Sequence, residues 1–167
     1  KIVDFPKSLV ILGAGVIGCE YATIFSNFGK TKVHIIDRAD RILPFEDQDI
    51  ADMVAGNLQK RGVTIHQGAS LKRMEVKNGE VEYEIEHNKT GDREIIHVEK
   101  ALLSIGRIPN TKGLNLDNVG VKLCERGIHI GDDDTQTCVP NIYVAGDVSG
   151  HIALVNVGEV EGRHAVE

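Results

Sequence analysis

An α/β fold is predicted: a parallel sheet with helices against it, an antiparallel β-meander, and a shorter C-terminal segment. Three observations predict it. Short apolar runs rich in branched residues alternate with helically spaced apolar residues over positions 8–66. Alternating, β-rich runs joined by turn residues then fill positions 71–98. A glycine-rich turn stands where the first strand hands over to the first helix.

Each element has its own signal. Residues 8–12, SLVIL, read as a strand buried on both faces. A helix follows over 16–28, marked by Ile17, Tyr21, Ile24 and Phe28 at spacings of three and four, with Gly29 to end it. Residues 32–37 form a second apolar strand that closes on a carboxylate. A second helix is predicted over about 46–61, with Ile50, Met53, Val54 and Leu58 on one face and Gly62 as its stop, before a third strand at 63–66. The meander takes 71–76, 80–86 and 93–98, joined by the hairpin signal Lys77-Asn78-Gly79 and a looser turn over 88–92. Residues 100–105 return as an apolar strand. Beyond Pro109 and Asn110 the composition shifts to Gly, Asn and Asp, with short strands predicted at 127–130 and 142–145 and a final helix over 152–167. The predicted boundary between two domain segments therefore falls between 112 and 113.

Bulk chemistry narrows the partners. A net charge of −6 argues against nucleic acid or an anionic membrane surface. No apolar run approaches the roughly 18 residues that span a bilayer. Cys19, Cys124 and Cys138 are dispersed and odd in number, so they suggest free thiols in a reducing cytoplasm rather than a disulfide framework. The seven histidines include no HExxH, and there is no CxxC, so no metal centre is expected.

The turn Gly13-Ala14-Gly15-Val16-Ile17-Gly18 carries the first functional signal. GxGxxG alone is weak, but this one follows a strand, opens a helix and meets Asp37 at the end of the next strand. Gly13 permits the tight turn, Gly15 lets backbone approach a pyrophosphate, and Gly18 allows close packing. The helix N-terminus presents unpaired N–H groups to the phosphates, and the Asp37 carboxylate suits the adenosine ribose hydroxyls. These residues form a Rossmann-like unit expected to bind NAD(H). An acid at 37 disfavours a 2′-phosphate, while Arg38 and Arg41 nearby favour one, so NAD is preferred and NADP stays possible.

Three further motifs complete the pattern: Gly18-Cys19-Glu20, Ser104-Ile105-Gly106-Arg107-Ile108-Pro109-Asn110, and the run from Thr137 to Gly146-Asp147 (TCVPNIYVAGD). Together, and in this order, they resemble the FAD-dependent pyridine nucleotide–disulfide oxidoreductases, the family of dihydrolipoamide dehydrogenase, glutathione reductase and soluble transhydrogenase. The resemblance implies that Glu20 sits near the nicotinamide; on residues alone it is equally a surface acid in the first turns of a helix. It implies that Gly106 lies against NAD, that Arg107 and Pro109 shape the crossover between domains, and that Gly146 and Asp147 bind FAD, Asp147 at the ribityl chain. Without it, Gly-Arg-Ile-Pro-Asn reads as a turn and Asp147 as a strand end.

The family's other parts are not in this sequence: a first glycine-rich fingerprint for FAD, the redox cysteine pair most members carry, and a dimerisation domain. The chain is thus expected to be the central NAD-binding domain plus a return segment of the FAD domain. The parent enzyme, a homodimer, would pass hydride between NAD(P)H and FAD and onward to a disulfide or similar acceptor. No catalytic residue is expected here, and the piece by itself should be inactive. The alternative is a non-catalytic nucleotide-sensing or assembly module. A short-chain dehydrogenase is disfavoured, because Tyr21, Tyr83 and Tyr143 are followed four residues on by Phe25, His87 and Asp147 rather than Lys.

Overall fold

The structure is a computed structural model that describes residues 4–131 and 135–167. Residues 1–3 and 132–134, counted within the two predicted segments, lie outside the described residues. The chain divides into two compact units, Lys1–Gly106 and Arg107–Glu167. That division falls after Gly106, whereas the sequence reading places its boundary after Lys112.

The first unit holds β1 (Ser8–Leu12), α1 (Val16–Asn27), β2 (Lys32–Ile36), α2 (Gln48–Lys60), β3 (Thr64–His66), β4 (Ala69–Lys77), β5 (Glu80–His87), β6 (Arg93–Val98) and β7 (Lys100–Leu103). A four-stranded sheet runs in the order β3-β2-β1-β7, with every pair parallel. A separate antiparallel sheet runs β4-β5-β6. Alternation along β1 and β2 builds two cores. Leu9, Ile11, Val33 and Ile35 pack with Cys19, Ala22, Ala51 and Leu58 of the helices. Val10 and Ile36 pack on the other side with Val81, Tyr83, Ile85, Ile96 and Val98 of the meander. Helices, parallel sheet and meander are therefore three layers, as predicted. The hairpin turn at Asn78 and Gly79 has both residues at positive φ (53° and 83°), the conformation that Asn-Gly favours.

Helix α1 buries a face other than the one its large apolar residues mark, while α2 buries the Val54–Leu58 part of its predicted stripe and turns the rest outward. Ile17, Tyr21, Ile24 and Phe28 of the α1 stripe are exposed, and Gly18, Cys19 and Ala22 are buried instead. Small side chains let the helix lie close to the sheet, so bulk is displaced to its flanks. On α2 the buried residues are Ala51 and Leu58, with Val54 and Ala55 half-buried; Ile50 and Met53 are exposed.

The edge of the sandwich between parallel sheet and meander carries polar groups. His34 Nδ1 lies 3.2 Å from His66 Nε2, and both rings are buried. Burial pushes His34 down to about 4 and also lowers His66, so both are neutral at pH 7.

The second unit has a small core of Val121, Ile128 and Val144, flanked by Leu116, Ile130, Val139, Ile142 and Val148. The strands predicted at 127–130 and 142–145 do not form ladders. They make single bridges, Leu123 with Ile128, Ile130 with Thr137, and Gln136 with Tyr143. Gly127, Gly131 and the Pro140-Asn141 pair, with Asn141 at φ 68°, cut each run short. The last helix, α3 (Val155–His164), is shorter than predicted and has no buried residue. No helix among the described residues is long and apolar enough to cross a membrane.

Candidate dinucleotide-binding site

The glycine-rich turn sits at the carboxyl end of β1, which is flanked by β2 on one side and β7 on the other. The chain leaves β1 for one neighbour by α1 and reaches the other only after the meander. Such a switch point opens a crevice beyond the strand ends. The three glycines do different work there. Gly13, at φ 102°, donates its N–H to the Ile36 carbonyl at 2.8 Å, and a Cβ on it would collide with the Ser104 carbonyl. A Cβ on Gly18 would collide with the Gly13 carbonyl. Gly15 is the exception: among the described residues nothing lies within 4 Å of where its Cβ would stand. Gly13 and Gly18 thus compact the turn, and Gly15 leaves one side of it open.

Gly15 is also the N-cap of α1. No side chain caps this helix and no acid occupies its first turn, so the leading N–H groups at Val16 and Ile17 are left for an external acceptor. Ala14 is buried and locked: its N–H donates to Asp37 Oδ2 at 2.6 Å, and its carbonyl accepts from Leu43 N at 2.8 Å. The other Asp37 oxygen accepts from Ala39 N at 2.8 Å. The carboxylate therefore shapes the turn as well as standing beside it. Each oxygen keeps a lone pair for a further donor.

Arg38 and Arg41 separate in role. Arg41 donates to the carbonyls of Leu43, Pro44 and Glu46 at 2.8–3.2 Å, which commits its guanidinium to holding that loop. Arg38 is exposed. Glu20 is exposed on α1 and borders an apolar cavity of about 680 Å³ with Val16, Thr23, Ile24, Leu43 and Val54. Cys19 lines the same cavity, and burial, helped by the Asp37 charge, pushes its thiol up to about 11. It is a packing residue in the neutral form.

Gly106 lies just past β7 at φ 133°, exposed, on the same edge of the sheet as the turn. Ser104 ties that edge together. Its N–H donates to the Leu12 carbonyl at 2.8 Å, and its hydroxyl lies 3.0 Å from the carbonyls of Leu12 and Gly13. The sequence reading missed this clamp. Its signal was the serine that opens the Ser-Ile-Gly-Arg-Ile-Pro-Asn motif, read there only for its glycine and arginine.

In the second unit Gly146 and Asp147 form a turn with Gly146 at φ 80°. The Gly146 N–H donates to Glu161 Oε2 of α3 at 2.6 Å, and Gly158 leaves room for that contact. Asp147 is exposed, with Arg107 Nε 3.7 Å away, and both line a cleft of about 430 Å³ with Ile108, Pro109 and Asn110. Asp147, far in sequence from Arg107 and Pro109, therefore shares one cleft with them.

A sequence profile of the pyridine nucleotide-disulphide oxidoreductases matches residues 1–162. The chain belongs to that family. Dihydrolipoyl dehydrogenase of Bacillus subtilis is 39% identical over 163 residues, which are 97% of this chain and 34% of the relative. Soluble pyridine nucleotide transhydrogenase of Pseudomonas aeruginosa is 40% identical over 160 residues, 96% of this chain and 33% of the relative. Among solved structures, the HOCl-induced flavoprotein disulfide reductase RclA of Escherichia coli aligns with a TM-score of 0.83 at 34% identity, covering 98% of this chain and 36% of that one. The chain spans about a third of the length of the relatives it matches.

Proposed function

We propose that residues 1–112 bind NAD(H) for a flavoprotein oxidoreductase of this family, and that residues 113–167 are the return segment of its FAD domain. The observation that carries the reading is the open, uncapped start of α1 at Gly15, beside Asp37 and at a switch point of the sheet. Pyrophosphate oxygens would accept from the leading N–H groups of α1, and the ribose hydroxyls would donate to Asp37. Glu20 and the exposed backbone at Gly106 would lie toward the nicotinamide, as in the family.

Asp147 suits FAD. An exposed carboxylate on a glycine turn offers acceptors for the ribityl hydroxyls, with Arg107 next to it. Hydride exchange with a nicotinamide is the chemistry a bound FAD supplies. The residues of this chain orient the nucleotide and make or break no bond themselves, so the gain they provide is positional. The parent works as a homodimer in the cytoplasm, and the separate chain is inactive.

Calorimetric titration of the purified chain with NADH and NADPH tests the reading. One NADH per chain is expected, with NADPH weaker because Asp37 repels the 2′-phosphate. The visible spectrum should lack flavin bands. The absence of saturable binding at millimolar NADH would sink the proposal.

A further inference from the structure

The layer between parallel sheet and meander is apolar over most of its length and then changes character at the β3 edge. His34 is two residues before Ile36 on β2, and His66 is the register partner of Ile36 on β3. His87 is two residues beyond Ile85 on β5, and Glu94, the register partner of Ile85, is two before Ile96 on β6. Strand alternation sets all four on the faces that the aliphatic residues use, turned toward one another.

Their spacing is that of ligands rather than of a closed ion pair. Glu94 Oε2 lies 3.7 Å from His66 Nδ1 and 3.6 Å from His87 Nε2. One donor atom from each of the three residues lies within 4.8 Å of the other two. Elsewhere on the meander Glu82 and Glu86 close to 2.7 and 2.8 Å on Arg73 and Lys72. Three donors each about 2.0–2.2 Å from a tetrahedral metal stand roughly 3.4 Å apart, close to the separations around Glu94. His66 turns its Nε2 to His34 Nδ1 at 3.2 Å, which orients the ring and leaves Nδ1 toward Glu94. That is the arrangement of a ligating histidine held through its second nitrogen. The same layer holds the buried Tyr83 hydroxyl, which has no hydrogen-bond partner among the described residues.

We propose that His66, His87 and Glu94 bind a divalent cation of the zinc class, with His34 as the residue that positions His66. Two imidazoles and one carboxylate suit Zn2+ and disfavour Mg2+ or Ca2+, which take all-oxygen shells. His87 and Glu94 are partly exposed, and His87 borders a surface cavity of about 420 Å³ with Gln67, Thr90 and Asp92, so an ion has a way in and a fourth position open to water. The bound ion cross-links β3 to the meander. No local motif announces such a site. The lack of HExxH and CxxC suggested no metal centre because the ligands come from three strands and meet only through register.

Titration of chelator-treated chain with ZnCl2 tests this. One equivalent is expected to bind at micromolar concentration and to raise the melting temperature. Co2+ in its place should show visible ligand-field bands of a tetrahedral site. Glu94→Gln and His87→Ala, both at partly exposed positions, should each weaken Zn2+ binding by more than about tenfold, and His34→Gln by about tenfold. His97→Ala, on the outer face of β6, should leave it unchanged. A wild-type chain that takes up no zinc at micromolar concentration overturns the proposal. So does zinc binding that survives both ligand substitutions in chains that keep their circular dichroism.

Discussion

Helices α1 and α2 lie on the same face of one sheet, yet their first turns are opposites. At α2 the Asp47 carboxylate accepts from Asp49 N and Ile50 N at 3.0 and 3.5 Å, and Asp49 adds a second negative charge to the first turn. The helix satisfies its own N-terminus. At α1 the cap is Gly15, with no side-chain acceptor and no acid, and among the described residues nothing approaches within 4 Å of where its Cβ would stand. With glycine at the cap, forgoing a side-chain acceptor costs only about a few tenths of a kcal/mol of stability. A missing cap is not enough to mark a site, since α3 also starts without one, at Leu154. At α1 it coincides with a Cβ-free approach, with Asp37 bonded to Ala14, and with the carboxyl edge of a parallel sheet.

The sharpest way to break this contrast is to fill the space at Gly15. Its backbone, at φ −74° and ψ −172°, is one any residue adopts, and no atom of the described residues lies within 4 Å of where a Cβ would stand. Gly15→Val should therefore keep the fold while its branched side chain fills the place proposed for the pyrophosphate. NADH affinity should fall at least about 100-fold, or 2.7 kcal/mol, by calorimetry on a chain with unchanged circular dichroism. Unaltered affinity in the folded variant would mean that the open turn is not where the nucleotide lies.

Gly18→Ala probes the other kind of glycine. The added methyl collides with the Gly13 carbonyl, a backbone atom with no freedom to swing away. Overpacking of this sort costs about 1–3 kcal/mol, so the melting temperature should drop by at least about 4 °C. Gly15→Ala should leave the melting temperature within a degree or two by comparison. Equal losses from the two alanines would erase the distinction between a glycine that shapes the turn and one that leaves it open.

These tests bear on how much was legible in the residues themselves. β1, the turn, β2 and the meander were, because branched runs, alternation and Asn-Gly are local signals with local causes. The buried face of α1 was not. Gly18, Cys19 and Ala22 carry little hydrophobic signal, while the louder Ile17, Tyr21, Ile24 and Phe28 turn outward. In the second unit, runs such as residues 127–130 have strand composition, but glycines and Pro140-Asn141 interrupt them before a ladder can extend. Asp37 was legible as an acid at a strand end. Its bond to Ala14 was not, since it spans 23 residues. The histidine edge was invisible for the same reason: register, not spacing, assembles it.

Asp37 allows a finer test of what surrounds the open turn. Asp37→Asn removes the charge that, in the proposed site, would repel a 2′-phosphate, and leaves Arg38 exposed beside it. NADH should weaken, because the Ala14 N–H loses a charged acceptor. The NADPH-to-NADH affinity ratio should rise by about tenfold, or 1.4 kcal/mol. Parallel titrations with both nucleotides measure it. A ratio that stays fixed would remove Asp37 from the ribose site and leave it the turn-holding role alone.

The smallest effect is expected at the capped helix, and it closes the comparison from the other side. Asp47→Ala strips α2 of its acceptor for Asp49 N and Ile50 N and should cost about 1 kcal/mol, seen as a lower urea midpoint with an unchanged slope. NADH affinity should not move, because α2 meets its own N-terminal N–H groups with its own carboxylate and offers none to a ligand. If NADH affinity fell together with stability, both helix starts would serve the nucleotide, and the difference between them would no longer locate the site.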